Sequence, residues 1–255
     1  MQSEPRTPRL AVLIDADNAS PRIADGLFAE IAKIGEASVR RIYGDFSGTR
    51  LRSWAEVLAT HAIMPHQNFA NTVGKNASDI ALVIDAMDLL HSGRFDAFCL
   101  ISSDSDFTRL AARIREQGVD VYGFGEQKTP ESFRQACKRF IYTENLLPEA
   151  PAPEEPQRPD QRPKSATRPA SLAVPLIRRA VAQLEDEDGW VSLGGVGQRL
   201  ATLASDFDPR TFGHVKLVDL VEKSGAFEVR RIAGRSVQIR ARPSEGGSGR
   251  GRAAS

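Results

Sequence analysis

The chain has 255 residues, enough for one large domain or two modest ones at ~100–200 residues each. With 41% hydrophobic and 26% charged residues, 20 glycines and 15 prolines, its composition excludes a collagen-like or wholly disordered protein. Its 34 bases and 33 acids leave a net charge of +1, a total that says nothing about partners until it is divided. The longest apolar runs, 10–14, 80–84 and 97–101, are about five residues, far short of the ~20 that a membrane helix needs. MQSEPRTPRL lacks the apolar segment of a secretory signal, and Cys99 and Cys137 both fall in apolar stretches. A reducing, cytoplasmic setting without disulfides is therefore expected.

From the N-terminus, strand and helix patterns alternate. RLAVLID (9–15) reads as a short buried strand. Ser20-Pro21 opens a helix with apolar positions at Ile23, Leu27, Ile31 and Ile34. A strand ASVRRIY (37–43), a Trp54-bearing helix over about 50–62 and a helix over 77–91 follow. The strand FDAFCLIS (95–102) leads into a helix with Phe107, Leu110, Ala111 and Ile114 on one face; VDVYGFG (119–125) is a further strand, and a last helix spans about 130–138. Strands joined through helices require crossover connections, so residues 1–147 are predicted to form an α/β domain with a mainly parallel sheet between helices.

Residues 148–170, PEAPAPEEPQRPDQRPKSATRPA, hold seven of the prolines and almost no large apolar side chain. Such a segment cannot build a core and reads as an extended linker. Beyond it, a helix carrying Leu176, Ile177, Ala180, Val181 and Leu184 precedes Trp190-Val191 and a helix through Val196, Leu200 and Leu203. FDPRTFG marks a turn, a third helix carries Val215, Val218 and Val221, and FEVRRI (227–232) and SVQIRAR (236–242) flank a tight turn. Three helices and a hairpin over 171–242 give the layout of a winged helix, and 243–255 is a tail expected to be disordered. Residues 1–147 hold 17 bases and 19 acids, the linker four of each, and 171–255 hold 13 and 10. The first domain is slightly acidic and the last slightly basic.

In a parallel α/β sheet, ligands bind beyond the carboxyl ends of the strands, near the point where strand order reverses. Two acidic clusters stand at such ends: Asp15-Ala16-Asp17-Asn18 and Ser102-Ser103-Asp104-Ser105-Asp106. Helix capping is the competing explanation for each residue, with Ser20, Ser105 and Asp106 the best-placed caps. Asp79 adds a third element. At ~100° per residue it shares a helix face with Val83, Ala86 and Leu90, so its carboxylate needs water, a cation or the helix N-terminus, and Lys75 lies just upstream. Asp85 and Asp88 fall on the opposite side, where a solvated role is expected. Were Asp15, Asp79, Asp104 and Asp106 to share one crevice, their repulsion would call for protons or a metal. Oxygen ligands without His or Cys support favour Mg²⁺ or Mn²⁺, and His61, His66, His91 and His214 do not fall at zinc-ligand spacing. Such a site suits phosphate chemistry.

LAVLIDADNAS, followed by KNASDIALVIDAMDLLHSGRFDAFCLISSDSDFTRLAARIREQGVDVYGFG, resembles the NYN domain of the LabA type, a member of the PIN-like nuclease superfamily, over about 9–146. The resemblance implies a Rossmann-like fold and metal-dependent RNA cleavage. By motif position it makes Asp15, Asp79, Asp104 and Asp106 the metal-binding and catalytic acids, with Asp17, Asn18, Lys75 and Ser102 in support. The family often has Ser-Gly-Asp where this chain has Ser102-Ser103-Asp104, so a glycine's freedom at positive φ is lost at Ser103. GWVSLGGVGQRLATLASDFDPRTFGHVKLVDLVEKSGAFEVRRIAGRSVQIRAR is similar to the OST-HTH or LOTUS domain, which implies RNA binding or docking to a protein partner. Arg230, Arg231, Arg235, Arg240 and Arg242 crowd its predicted hairpin, either to meet RNA phosphates or to guard an exposed strand edge. Arg50, Lys75 and Arg109 are positioned to guide an RNA backbone at the rim of the acidic crevice.

Two alternatives stand beside this reading. LIDADNA also fits the strand-end Asp-x-Asp of haloacid-dehalogenase-like phosphatases, and LIS their second strand-end Ser, but that reading wants a later lysine followed by an acidic pair, where this chain offers VDVYGFG and Lys128. The acids can equally belong to a domain that binds RNA without cutting it.

Overall fold

A computed structural model of the protein describes residues 6–68, 77–148, 167–184, 189–232 and 236–242. Lys75, Arg235, most of the proposed linker and the tail lie outside the described residues. The chain divides into two compact units, Met1–Ser165 and Ala166–Ser255.

The first unit is a six-stranded parallel sheet in the order β3-β2-β1-β4-β5-β6. Its strands are β1 (Arg9–Asp15), β2 (Glu36–Gly44), β3 (Met64–Gln67), β4 (Ala97–Ile101), β5 (Asp120–Gly125) and β6 (Arg139–Tyr142). The connecting helices are α1 (Ala24–Ile31), α2 (Arg52–Leu58), α3 (Ala77–His91), α4 (Thr108–Glu116) and α5 (Glu131–Ala136). Period-2 alternation divides β1 between two cores. Leu10, Val12 and Ile14 meet Ile23, Leu27, Ile31 and Trp54 on one face, while Ala11 and Leu13 meet Leu82, Ala86, Leu110 and Ile114 on the other. Each such aliphatic side chain, fully buried, is worth about 1.5–3 kcal/mol. That two-sided burial is why β1 and β4 read as continuous apolar runs.

The structure confirms the predicted α/β sandwich. β3 and β6 were not foreseen; MPHQ is mostly exposed and contains a proline, and RFIY follows a helix without a turn signal. The helix expected from Ser20 begins as a 3₁₀ turn, Pro21–Ile23, capped by the Ser20 hydroxyl, before α1. On α3 the buried residues are Leu82, Ala86, Leu89 and Leu90, whereas Val83 is 36% exposed. Asp79 lies three residues before Leu82, and so still on the inward side. Asp85 is not the solvated residue expected: it accepts hydrogen bonds from Arg41 and from the Tyr43 hydroxyl. Arg41 and Tyr43 alternate toward α3 from β2, where only the short β3 lies outside, so a polar partner replaces apolar contact. The carboxylate is held below its ordinary range by these two donors, against the desolvation of partial burial.

The second unit packs α6 (Val174–Ala182), α7 (Leu193–Leu203) and α8 (Leu217–Ser224) on a three-stranded sheet ordered β7-β9-β8. Its strands are β7 (Val191–Ser192), β8 (Phe227–Ile232) and β9 (Ser236–Ala241). The core comprises Ile177, Val181, Val196, Leu200, Leu220, Phe227 and Ile239. Val215, placed on the third helix by periodicity, precedes α8 and is 80% exposed. Gly213 closes the FDPRTFG turn at φ +78°, a left-handed conformation that glycine adopts without strain. The unit also takes in residues at the end of the proline-rich stretch: the Arg168 N–H donates to the Thr211 carbonyl at 2.9 Å, and a 3₁₀ turn spans Ala170–Ala173. No described helix is long and apolar enough to cross a membrane. Cys99 and Cys137 are free and buried, and burial pushes both thiols up, Cys137 to about 12.

Candidate active site

Strand order reverses between β1 and β4, which pair in parallel with Ile14 opposite Ile101. The next residue on each strand is Asp15 and Ser102, so the register alone sets the two acidic segments side by side at the switch point of the sheet.

Asp15 is buried, 1% exposed, yet among the described residues no cation pairs with it. Its Oδ2 accepts from the Ser102 hydroxyl at 2.7 Å and from Asn18 Nδ2 at 2.8 Å, and its Oδ1 accepts from the Asp17 N–H at 3.0 Å. Desolvation pushes its carboxyl above the ordinary range, and these donors oppose that shift without cancelling it. The Ser102 hydroxyl also accepts from the Asp104 N–H at 3.0 Å, which ties the two segments together.

Asp104 is the residue that caps the turn after β4. Its carboxylate accepts from the Asp106 N–H at 2.9 Å and opens a 3₁₀ turn over Ser105–Phe107; Ser105 and Asp106, the caps expected from sequence, lie inside that turn. Capping engages Oδ1, and among the described residues no hydrogen bond engages the other carboxylate oxygen of Asp104. Among the described residues, Ala62 is the sole non-glycine at positive φ, so Ser103 takes its place without the glycine conformation. The Ser103 hydroxyl instead accepts from the Glu126 N–H at 2.9 Å, a fastening to the end of β5 that a glycine cannot supply. Beneath it, Gly125 permits a close approach: a Cβ there would lie 2.5 Å from the Ser102 carbonyl oxygen.

Asp79 enters from the first turn of α3. Desolvation and then the charges of Asp15, Asp104, Asp17 and Asp106 raise its pKa to about 6. The acids predicted from sequence therefore act on one another. Among the described residues, no three His, Cys, Asp or Glu side chains are close enough together to hold an ion as they stand. The donor chemistry nevertheless fits a hard divalent cation: an all-oxygen set, fixed by neutral donors and carrying negative charge that, among the described residues, no lysine or arginine at Asp15 or Asp79 offsets.

Arg50 forms an ion pair with Asp17, and Arg109 is exposed and, among the described residues, without an ion-pair partner. Lys128, the residue a phosphatase mechanism would need, is 73% exposed and bridged to Glu126 at 2.8 Å.

The arginines of the second unit do not form one strip. Arg230 and Arg240 lie on one face of the hairpin, their guanidinium carbons 4.2 and 4.9 Å from the ring centre of Trp190. Arg230 donates to Gln238 at 2.7 Å and Arg240 to Glu228, its cross-strand neighbour, at 2.6 Å. Arg231 points to the opposite face and bridges to Glu222 of α8 at 3.0 Å. Arg242 follows the end of β9, exposed. Trp190, which no sequence motif singled out, organises the pair; its position opposite two alternate hairpin arginines appears only once the register is known.

The NYN domain family profile matches residues 9–146, more than half of the chain. The protein belongs to the NYN domain family. An OST-HTH/LOTUS domain profile matches residues 165–238 of the same chain. The NYN unit resembles a crystal structure of a Vibrio parahaemolyticus protein of unknown function, with 20% identity, 56% of this chain and 96% of that one covered, and a TM-score of 0.46. A solution structure of an uncharacterized Nitrosomonas europaea protein is 31% identical over 35% of this chain and 89% of that one, with a TM-score of 0.26. Among proteins with curated descriptions, none matches the chain.

Proposed function

We propose that this NYN protein is a metal-dependent ribonuclease, with Asp15, Asp79, Asp104 and Asp106 holding Mg²⁺ or Mn²⁺ and the OST-HTH/LOTUS unit holding RNA or a protein partner. The observation that carries this reading is the carboxylate cluster at the switch point, where desolvation and then the charges of the neighbouring acids lift Asp79 to about 6. A bound cation would supply Lewis acidity toward the phosphodiester and a hydroxide at neutral pH. The protein's own residues do the rest. Ser102, Asn18 and the Asp17 N–H aim Asp15; the 3₁₀ turn fixes one oxygen of Asp104; Asp79, with its pKa raised to about 6, holds or releases a proton near neutral pH and would be one of the residues that hold the cation. Arg109 at the rim offers a cation to the RNA backbone.

The test is incubation of the full chain with single-stranded and structured RNA in Mn²⁺. Cleavage is expected with Mn²⁺ or Mg²⁺, absent with EDTA, and reduced more than about 100-fold by Asp104→Asn, since loss of a ligand should exceed the ~10–100-fold cost of losing a residue that orients one. Cleavage that survives EDTA or that substitution refutes the metal mechanism.

A further inference from the structure

Next to Asp17, the segment after β1 and the entry to α2 enclose a cleft of about 380 Å³ that the proposed chemistry leaves without a role. Its floor is apolar and fixed. Leu51 is 4% and Trp54 1% exposed, and the indole N–H donates to the Ala19 carbonyl at 3.0 Å. The floor is close-packed from below: a Cβ on Gly44 would lie 2.5 Å from Leu51 Cδ1 and 3.0 Å from the Ala16 Cβ. The rim carries Arg22 and Arg50, with the Asp17 carboxylate beside Arg50. Among the described residues Arg22 makes no ion pair, and the Arg50 side chain is 71% exposed, so its pair with Asp17 is solvent-screened and open to exchange.

Volume, lining and place point to one ligand class. A cleft of this size lies within the ~300–1,000 Å³ range of sites for small organic groups. An apolar floor under two guanidinium groups matches a base with a phosphate, since arginine forks pair with phosphate oxygens. Two of the residues that line the cleft, Ala16 and Asp17, directly follow Asp15 in the chain, so the cleft adjoins the acidic segment. We propose that this cleft binds one nucleotide of a single RNA strand, its phosphate on Arg22 and Arg50, and so delivers the neighbouring phosphodiester to Asp15. This rests on the ribonuclease reading. A base seated there has left its stack, so the substrate class is single-stranded RNA or a loop.

The chain has two tryptophans, so in a Trp190→Phe variant fluorescence reports on Trp54 alone. That full-length variant is titrated in EDTA with uridine 5′-monophosphate, uridine, inorganic phosphate and pentauridylate. The monophosphate is expected to change Trp54 emission with a Kd at least tenfold below those of uridine and phosphate, and pentauridylate to bind at least tenfold tighter still. Arg50→Ala and Arg22→Ala, both surface changes, should each weaken the monophosphate by about tenfold with an unaltered melting temperature. No response to the monophosphate, or a response that both substitutions leave intact, overturns the proposal. Equal affinity for monophosphate and pentauridylate also overturns it, by making the cleft a free-nucleotide site. Without metal or cleavage in the assay, the cleft can fail while the ribonuclease reading stands, and the reverse.

Discussion

The two polar surfaces of this protein handle charge in opposite ways. At the end of the parallel sheet, Asp15 is buried against neutral donors, Ser102, Asn18 and a backbone N–H, which orient its carboxylate, and among the described residues no cation pairs with it. On the hairpin of the second unit, Arg240 and Arg231 are exposed and already matched by Glu228 and Glu222. A site that withholds compensation stores a demand for a cation, at a cost in stability. A surface that pairs its charges within itself gains order and gives up field strength. A count of acids and bases cannot tell these apart; hydrogen-bond partners can.

The largest effect expected from this contrast is at Asp15. Asp15→Asn should lower cleavage more than about 100-fold while the protein stays folded, because the buried position already disfavours the charged form. Gly125→Ala should come next. The added Cβ, 2.5 Å from the Ser102 carbonyl, should cost about 1–3 kcal/mol in denaturant unfolding and displace the tie between the two acidic segments. Ser102→Ala should weaken Mn²⁺ binding ~10–100-fold in calorimetric titration.

The pH dependence follows from Asp79, whose pKa is raised from 3.8 to about 6. A carboxyl raised in the folded state contributes stability that is present below pH ~3.8 and is lost as pH rises through about 6. Metal-free protein should accordingly gain melting temperature when Asp79 is replaced by Asn at pH 7.5, and gain little at pH 4.5. Mn²⁺ should stabilise the wild type more at pH 7.5 than at pH 5. The smallest effect is on the hairpin. Trp190→Ala, which frees Arg230 and Arg240, should weaken RNA binding only severalfold, with the slope of log Kd against log salt falling by less than 2, since at most two phosphate contacts are lost.

Much of the first unit was legible because β1 and β4 are buried on both faces and end abruptly in acids. Their apolar runs put Asp15 and the segment 102–106 at strand ends, and the resemblance to the NYN domain implied that Asp79 joins them. What stayed hidden depends on tertiary register. Pro65 and the exposed residues of β3 carry no strand pattern, so the edge position of Arg41 and Tyr43, and with it the role of Asp85, could not be read. Ser103 looked like a defect of a glycine turn, yet its hydroxyl fastens β5. The five arginines looked like one strip because strand alternation and the reach of Glu222 and Glu228 are invisible in a linear count.

The central claim is that the end of the sheet is an acidic site built for a divalent cation. The most direct measurement is calorimetric titration of the full chain with Mn²⁺ near pH 6.5, in buffers of different ionisation enthalpy, beside Asp15→Asn and Asp79→Asn. The account expects saturable binding with proton release in the wild type, release abolished by Asp79→Asn, and binding lost in Asp15→Asn. No binding by the wild type, or the same isotherm from all three proteins, would contradict it.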